Sequence, residues 1–376
     1  MGAMLNPTTA TTRLDHIRAN LDGVRARVGD RLVLAAVKAD AYGHGAVPVA
    51  RMVEATGAAD WLGVATADEA VTLRDAGVRL PMLKLSHALT DDEVAACVAR
   101  DVDLTVVSAA TIDQVARVAA DLGRGASVHL KVDTGMRRIG CPPEQAPSLA
   151  QRVDAAGLRL RGLFSHLPVS DTESGRAYTR DQVALFAEVA DAVAAARGKV
   201  ELVHLATSGG VLMHPESWFD LVRPGIMVYG SLPDPSSEAS VPLLPGLEWT
   251  TRVSFVKRVA AGETVGYGRS WAAPQETVIA TIPVGYGDGY SRLLSNRGRA
   301  LAGGRSVPIV GRVCMDQTML DLGPSSPVGV GDEVVLVGRQ GDHEISVQEL
   351  ADLMGTIPYE VTCLVNARVA RRSTGV

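Results

Sequence analysis

The sequence predicts an α/β protein, a TIM-like (β/α)8 barrel followed by a mostly-β C-terminal domain. Eight short apolar segments alternate with amphipathic ones up to about residue 230, and a Pro- and Ser-rich stretch follows at 231–246. The remainder is rich in Val and Thr, with glycine-bearing turns. Because alternating strands and helices are typical of parallel sheets, we predict a barrel over residues 1–240 and a mostly-β domain over residues 241–376.

The eight predicted barrel strands are nearly continuous apolar runs, as expected of parallel strands buried on both faces. They lie at 32–37, 61–65, 81–85, 102–107, 127–132, 158–164, 201–206 and 221–223. Helical patterns lie between them at 46–56, 67–76, 91–100, 109–121 and 175–196. Eight strands favour a closed barrel, and an open doubly wound sheet is the alternative.

The C-terminal segment predicts strands at 251–259, 277–284, 305–322 and 333–338, with almost no helix. One exception is a capping box formed by Ser346 and Glu349. It predicts a short helix that continues through Met354 and stops at Gly355.

Composition excludes several functional classes. The chain has 376 residues, and 37 Lys and Arg residues against 42 Asp and Glu residues give a net charge of -5. This mildly acidic balance argues against nucleic-acid binding. Neither a secretion signal nor an apolar run of about 18 residues is visible, so we expect no membrane association. The four cysteines form no C-x-x-C pair, which favours a reducing, cytoplasmic compartment.

Chemistry in a barrel sits at the carboxyl ends of its strands. Lys38 directly follows the first strand, where burial would lower its pKa and allow a Schiff base; the alternative is a solvated rim lysine. Other strand ends also carry polar residues that could belong to a site. Taken singly, each has a non-functional alternative: a histidine could be a hydrogen-bonded core residue, and Arg138 could form an ion pair at the surface. These residues are Lys131, Arg138, His166, His204, Ser208 and Arg223.

A phosphate site is predicted after the last barrel strand. Pro224 and Gly225 suggest a helix start with free backbone N–H groups, and barrels commonly hold phosphate in the last two loops. A phosphorylated cofactor that faces a lysine suggests pyridoxal 5′-phosphate. The glycine-rich segment 285–289 is not followed by a βαβ unit, which excludes a dinucleotide loop, and no clustered ligand set indicates a metal.

Seven blocks of sequence closely resemble the bacterial alanine racemases, in the order in which that family carries them. They are VKADAYGHG (37–45), KVDTGMRRIG (131–140), RPGI (223–226), GYG (266–268), PVGYGDG (283–289), CMDQ (314–317) and IPYE (357–360). The resemblance implies the barrel-plus-β-domain fold, bound pyridoxal 5′-phosphate, and interconversion of L- and D-alanine that supplies D-alanine for peptidoglycan.

The resemblance implies two catalytic residues on opposite faces of the substrate Cα. Lys38 would bind the cofactor covalently and act as one base, and Tyr267 would be the other. Arg223 would contact the pyridine nitrogen, with His204 supporting it and His166 flanking the ring. The remaining cofactor contacts would be made at the phosphate by Tyr42, Ser208, Gly225, Ile226 and Tyr359.

The substrate carboxylate would be held by Arg138 and the backbone of Met315. Lys131 matches a lysine that is carbamylated in many members and would then orient Arg138. Asp316 lies in the same block as Met315 and would support it. The resemblance also implies a head-to-tail homodimer in which Tyr267, Tyr286 and Met315 reach the other subunit's cofactor. A packed strand tyrosine is the alternative for Tyr286, and a turn tyrosine is the alternative for Tyr267.

Three other functions remain to be weighed. A basic amino-acid decarboxylase shares the two-domain plan but would require an acidic partner where Arg223 stands. A non-enzymatic pyridoxal-phosphate carrier would be a lone barrel. A racemase of serine or of many amino acids stays open, although Tyr286 and Tyr359 would narrow the pocket toward alanine.

Overall fold

The computed structural model describes residues 7–375, which form two compact units. The barrel unit comprises residues 17–41 and 46–244, and the β unit comprises residues 7–16, 42–45 and 245–375. The β unit includes strand β1 (Thr9–Arg13), which the predicted division at residue 240 placed with the barrel. The division of the chain in space therefore differs from its division along the sequence.

Eight parallel strands close into a barrel, in chain order. β9 pairs with β2 through Leu221–Leu32 and Val222–Val33, and this pairing completes the ring. The predicted TIM-like barrel is thus confirmed, and the open-sheet alternative is wrong. The strands are β2 (Leu32–Ala36), β3 (Trp61–Val64), β4 (Met82–His87), β5 (Asp103–Val106), β6 (Ser127–Lys131), β7 (Arg159–Phe164), β8 (Leu202–His204) and β9 (Leu221–Val222).

Helices alternate with the barrel strands, and each of the five predicted helical patterns coincides with one to within two residues at either end. The helices up to residue 244 are Leu14–Val28, Ala46–Thr56, Ala67–Asp75, Asp91–Val98, Ala109–Asp121, Ala146–Ala155, Arg176–Arg197 and Ser208–Met213. Thr66 and Glu69 form a capping box at the start of Ala67–Asp75, with 3.2 Å hydrogen bonds in both directions. Within residues 7–375, no helix has the length and apolar character needed to span a bilayer.

The β unit is mostly β, as predicted, and most of its strand pairs are antiparallel. Its main sheet has the order β16-β15-β18-β10-β1-β20, with β19 on β18; β11-β14-β17 form a second sheet and β12-β13 a ribbon. The strands are β10 (Leu247–Arg252), β11 (Phe255–Val259), β12 (Thr264–Val265), β13 (Trp271–Ala272), β14 (Thr277–Ile282), β15 (Arg299–Ala302), β16 (Arg305–Pro308), β17 (Thr318–Asp321), β18 (Glu333–Gln340), β19 (His343–Ile345) and β20 (Ala370–Thr374).

The predicted helix after Ser346 is present as Val347–Met354 and ends at Gly355, whose φ is +72°. The Ser346 hydroxyl accepts a hydrogen bond from the Glu349 backbone N–H at 3.0 Å. The Glu349 carboxylate binds Arg299 at 2.6 and 2.7 Å. Of the predicted capping box, only the Ser346 hydrogen bond therefore caps the helix. The Glu349 carboxylate binds the Arg299 guanidinium instead, because a charged guanidinium is a stronger partner than a backbone N–H. A second helix, Pro358–Leu364, was not predicted.

Candidate active site

Five predicted site residues lie at the carboxyl ends of barrel strands. Lys131 and His204 are the last residues of β6 and β8, and Arg223 directly follows β9. Lys38 and His166 each come two residues after a strand end. Parallel strands in a barrel all end at the same rim. The fold therefore places these side chains at one mouth of the barrel unit.

Lys131 is a buried cation among other cations. Its Nζ lies 5.2 Å from the centre of the Phe164 ring. Burial, together with repulsion from the charges of Arg223, Arg138 and Lys38, lowers the pKa of Lys131 to about 7. A large fraction of this amine is therefore neutral near pH 7, and only the neutral amine is nucleophilic.

Lys38 begins a left-handed turn. The four residues that follow it have φ values between 50° and 55°, although none of them is glycine. Two carboxylates stabilise the turn: Glu69 accepts a hydrogen bond from Ala39 N–H and Asp40 accepts one from Ala46 N–H, both at 2.7 Å. Left-handed residues with a Cβ cost roughly 1–2 kcal/mol each. Such strain persists where surrounding contacts enforce it, typically at functional sites.

Arg223 is buried, and its guanidinium has neutral hydrogen-bond partners. Nη1 donates to His204 Nδ1 at 2.9 Å, and Nη2 donates to the carbonyls of Ser165 and Leu205 at 2.7 and 3.1 Å. The guanidinium carbon lies 5.3 Å from the Phe164 ring centre. Burial lowers the pKa of Arg223 to about 9, so the side chain is still a cation at neutral pH.

His166 is held as a neutral imidazole. Burial and the positive charges of Arg223 and Lys131 keep its pKa well below the usual range. A neutral histidine can pack against an aromatic ring or accept a hydrogen bond without adding another charge. This state agrees with the predicted place beside a cofactor ring.

The predicted phosphate loop has a different form from the one expected. Pro224 and Gly225 are followed by a single 3-10 turn, Ile226–Tyr229, whereas the sequence suggested a helix start with free N–H groups. The Gly225 N–H donates to the Ser208 hydroxyl at 2.9 Å. That expectation is corrected for Gly225, whose donor is taken by Ser208. The hydroxyl in turn ties the two predicted phosphate segments together.

Arg138 lies in an exposed turn after β6. The Asp133 carboxylate shapes this turn by accepting hydrogen bonds from the N–H groups of Gly135 and Arg137 at 2.9 and 3.0 Å. The charge of Arg138 acts on both Lys131 and His166. Its guanidinium is therefore available to a ligand at the barrel mouth.

Two predicted phosphate ligands meet inside the β unit. The rings of Tyr42 and Tyr359 have centroids 5.9 Å apart. Burial raises the pKa of Tyr42, so its hydroxyl stays protonated and can donate to an anion. Gly43 beside it has no space for a Cβ, which would lie 2.1 Å from the Thr362 carbonyl oxygen.

The remaining predicted residues lie at the surface of the β unit. Tyr267, Tyr286 and Met315 are 75%, 43% and 52% exposed. The backbone N–H of Tyr286 donates to the Cys314 carbonyl at 3.0 Å, so the Tyr286 and Met315 loops are adjacent. Asp316 pairs with Arg368 at 2.7 Å.

Sequence reasoning missed two buried polar residues, Asp103 and His129. Both lie in predicted strands, where their neighbours are apolar, and they are 3.1 Å apart. An ionisable residue in a strand buried on both faces was the available signal, because burial of such a group is costly unless it has a specific partner.

Comparison with known proteins agrees with this geometry. The family profile described as "Alanine racemase, N-terminal domain" matches residues 12–233, and "Alanine racemase, C-terminal domain" matches residues 246–373. The chain belongs to the alanine racemase family. It is accordingly a pyridoxal-phosphate-dependent racemase, an isomerase.

Individual relatives are similar over nearly the whole chain. An alanine racemase of Cutibacterium acnes is 48% identical over 371 residues, which cover 98% of this chain and 98% of the relative. The structure of alanine racemase from D-cycloserine-producing Streptomyces lavendulae superposes with a TM-score of 0.93 at 35% identity, covering 100% of this chain and 98% of that one. The Bacillus anthracis enzyme with bound L-Ala-P has a TM-score of 0.92 at 33% identity, covering 100% and 97%.

The residues at the barrel mouth fit an anionic, ring-bearing cofactor. Lys38, Lys131, Arg138 and Arg223 are close enough that the charges of the other three lower the pKa of Lys131. Like charges in a buried site destabilise one another unless an anion binds between them. Arg223, with neutral partners on its other side, provides a donor for a ring nitrogen, and Ser208 links the loops that would hold a phosphate.

Proposed function

We propose that Lys38 and Tyr267 are the two bases with which this racemase interconverts L- and D-alanine. The observation that carries the proposal is the cluster of four cations at the barrel mouth, with Lys38 among them. Such a cluster suits a phosphorylated cofactor together with a substrate carboxylate. Bound pyridoxal 5′-phosphate acts as an electron sink that makes the substrate Cα–H bond acidic.

Lys38 holds the cofactor covalently, and the strained turn after it fixes where the amine lies. Ser208 and Ile226 bind the phosphate, and Gly225 contributes by fixing the Ser208 hydroxyl through its N–H. Tyr42 and Tyr359 are proposed as further phosphate ligands. His166 packs beside the ring as a neutral imidazole. These roles are supported by the buried, hydrogen-bonded state of Ser208 and by the paired tyrosine rings.

Arg223 donates a hydrogen bond to the ring nitrogen and does not transfer a proton to it. A guanidinium with a pKa of about 9 is a much weaker acid than a carboxylic acid at this position. As a donor that keeps its proton, Arg223 would leave the ring nitrogen of bound pyridoxal 5′-phosphate unprotonated. The cofactor would then support simple proton exchange better than decarboxylation, which argues against the decarboxylase alternative.

Inversion at Cα requires a base on each face of the substrate, because a single base returns the proton to the face it left. Tyr267 is presented on a turn between two glycines with φ of +73° and +70°. Its side chain is three-quarters exposed on the β unit. Arg138 and the backbone of Met315 hold the substrate carboxylate, and Lys131, once carbamylated, orients Arg138.

We further infer a homodimer with shared active sites. Its support is the exposure of Tyr267, Tyr286 and Met315, three residues that the site needs and that the β unit presents at its surface. Asp316 and Arg368 brace the Met315 loop. A cytoplasmic location and a role in supplying D-alanine for peptidoglycan complete the proposal; the free thiols of all four cysteines favour a reducing compartment.

An absorbance spectrum of the purified protein beside Lys38→Ala, followed by D-alanine formation from L-alanine, tests the proposal. We expect a visible cofactor band that is absent from the variant, and racemisation by the wild-type protein alone. Equal bands in both proteins, or racemisation by Lys38→Ala, would refute the role of Lys38. A wild-type band without alanine turnover would refute alanine as the substrate.

A further inference from the structure

A file of hydrogen-bonded polar side chains runs from Arg223 into the barrel interior. Arg223 Nη1 contacts His204 Nδ1 at 2.9 Å, and His204 Nε2 contacts His129 Nδ1 at 2.9 Å. His129 Nε2 contacts Asp103 Oδ2 at 3.1 Å, and Arg161 binds both Asp103 oxygens at 3.2 and 3.1 Å. Both histidines are completely buried, and Asp103 is 5% exposed.

The two ends of the file fix where its protons lie. A guanidinium can only donate, so His204 Nδ1 accepts and the proton of the neutral ring lies on Nε2. That proton is donated to His129 Nδ1, which leaves the His129 proton on Nε2, directed at the Asp103 carboxylate. Burial and the nearby charge of Arg223 keep the pKa of His204 well below its usual range, so its ring is neutral. All the donors therefore point from Arg223 toward Asp103.

The barrel interior is shaped to hold this file. Gly162 leaves room for the His129 ring, since a Cβ there would lie 2.0 Å from His129 Nδ1. The Trp61 and His129 rings make an edge contact at 5.7 Å, and the His204 ring stacks on Phe164 at 4.8 Å. Apolar side chains in these places would be packed without desolvating polar groups. Both ring nitrogens of His129 and of His204 have partners, so the core keeps a polar file where apolar packing would cost less.

The far end of the file lies near the opposite end of the barrel. Asp103 is the first residue of β5, whereas His204 is the last residue of β8. Arg161 packs over Trp61 at 5.4 Å and lines an open cavity of about 500 Å³ together with other arginines. The Asp103 carboxylate is thus stabilised by a cation that reaches solvent.

We propose that Asp103 and His129 are positioning residues for racemisation, acting through His204 to hold the Arg223 guanidinium in one orientation and in its charged form. The proposal rests on the proposed role of Arg223 at the cofactor ring. Its physical basis is that His204 accepts from Arg223 only in the tautomer with its proton on Nε2. His129 Nδ1 stabilises that tautomer by accepting this proton's hydrogen bond, and the Asp103 carboxylate, a stronger acceptor than a neutral group, stabilises the matching tautomer of His129. Burial of Arg223 already lowers its pKa to about 9, so loss of this acceptor would favour the neutral guanidine further.

The wild-type holoenzyme provides a test that needs no substitution. Ring nitrogen shifts of ¹⁵N-histidine-labelled protein report the tautomer of each imidazole. We expect His129 and His204 to be neutral and protonated at Nε2. A proton on Nδ1 of either ring, or a doubly protonated ring, would overturn the proposal even if the enzyme racemises alanine. Absence of cofactor binding and racemisation would instead count against the proposed function.

Asp103→Asn provides the second test, with Asp113→Asn as the matched control, because Asp113 pairs with Arg152 at the barrel surface. We expect kcat to fall at least about tenfold in Asp103→Asn, by analogy with the loss of a carboxylate that supports a metal-bound histidine, which costs about 10- to 100-fold. KM should change less than kcat. The alkaline limb of the kcat–pH profile should move to lower pH, and the ¹⁵N shifts of the His204 ring should change. If all these readouts match those of Asp113→Asn, the proposal is wrong.

His129→Leu interrupts the same file at another residue. It tests the proposal independently if Asp103→Asn does not fold. The same fall in kcat, the same displacement of the alkaline limb and the same His204 signal change are expected. Wild-type values for this variant would overturn the proposal.

Discussion

At the residue scale, Lys131 shows most directly how the fold alters chemistry. Its pKa of about 7, against 10.5 for an ordinary lysine, arises from burial and from three neighbouring cations. The folded protein therefore binds a proton at this site less tightly than the unfolded chain does. Below pH 7 Lys131 is protonated in both the folded and the unfolded protein, and its charge destabilises the folded state by the full amount. This destabilisation diminishes as pH rises from 7 to 10.5.

Lys131→Met should therefore stabilise the cofactor-free protein, and more so at low pH. In CO2-free buffer we expect Tm to rise by about 5 °C at pH 6, and by less than half of that at pH 9. Thermal unfolding at the two pH values measures the difference. Lys199→Met, at an exposed position, is the control and should show no such pH dependence. An equal rise at both pH values for Lys131→Met would contradict the account.

A second prediction for the same residue concerns its reaction with CO2. A neutral, buried amine beside Arg138 should form a carbamate, because the new anion relieves repulsion among the cations. ¹³C NMR in ¹³C-bicarbonate should show one carbamate signal that Lys131→Met lacks and that declines below pH 7. A signal retained in the variant would place the modification elsewhere.

At the scale of the element, the left-handed turn after Lys38 is the strained part of the site. It persists because two carboxylates accept hydrogen bonds from backbone N–H groups at the turn. Glu69 accepts from Ala39, and Asp40 accepts from Ala46. The sequence motif identified Lys38 but not this backbone form. Four consecutive non-glycine residues in the left-handed region contradict local preference, and the contacts that enforce them come from another helix.

Asp40→Ala should loosen this turn and with it the placement of Lys38. We expect Tm to fall by about 1–2 °C, from the loss of a hydrogen bond worth about 1 kcal/mol. Release of the cofactor, followed by its absorbance, should be at least a few-fold faster. Asp30→Ala, at an exposed position before β2, is the control. Cofactor release as slow in Asp40→Ala as in that control would show that the turn does not depend on the carboxylate.

At the scale of the whole molecule, the barrel was predictable and the β unit only partly so. Apolar runs and helical spacing located all eight barrel strands, because each strand and helix is specified by neighbouring residues. β1 was not among the predicted strands, since its sequence, TATTR, is largely polar and its pairing with β10 bridges more than 230 residues. The contact of His129 with Asp103 was not predicted for the same reason, because it joins residues that are distant in the sequence.

Shared active sites can be tested by mixing two inactive variants. If each site combines Lys38 of one subunit with Tyr267 of the other, a dimer of Lys38→Ala with Tyr267→Phe has one intact site. After subunit exchange at equal concentrations, half of the dimers are mixed, so about a quarter of wild-type activity should return. Racemisation assays on the mixture and on each variant alone measure this. A mixture that stays inactive after proven exchange would contradict the shared site.

We propose that two opposed bases, Lys38 and Tyr267, exchange the Cα proton. The most direct measurement is the Tyr267→Phe variant in D2O, with deuterium incorporation followed separately for L- and D-alanine. We expect racemisation to fall at least about 100-fold, while the variant retains its cofactor band and still exchanges the Cα hydrogen of one enantiomer only. Exchange of both enantiomers, or racemisation at the wild-type rate, would refute the assignment of Tyr267 as the second base.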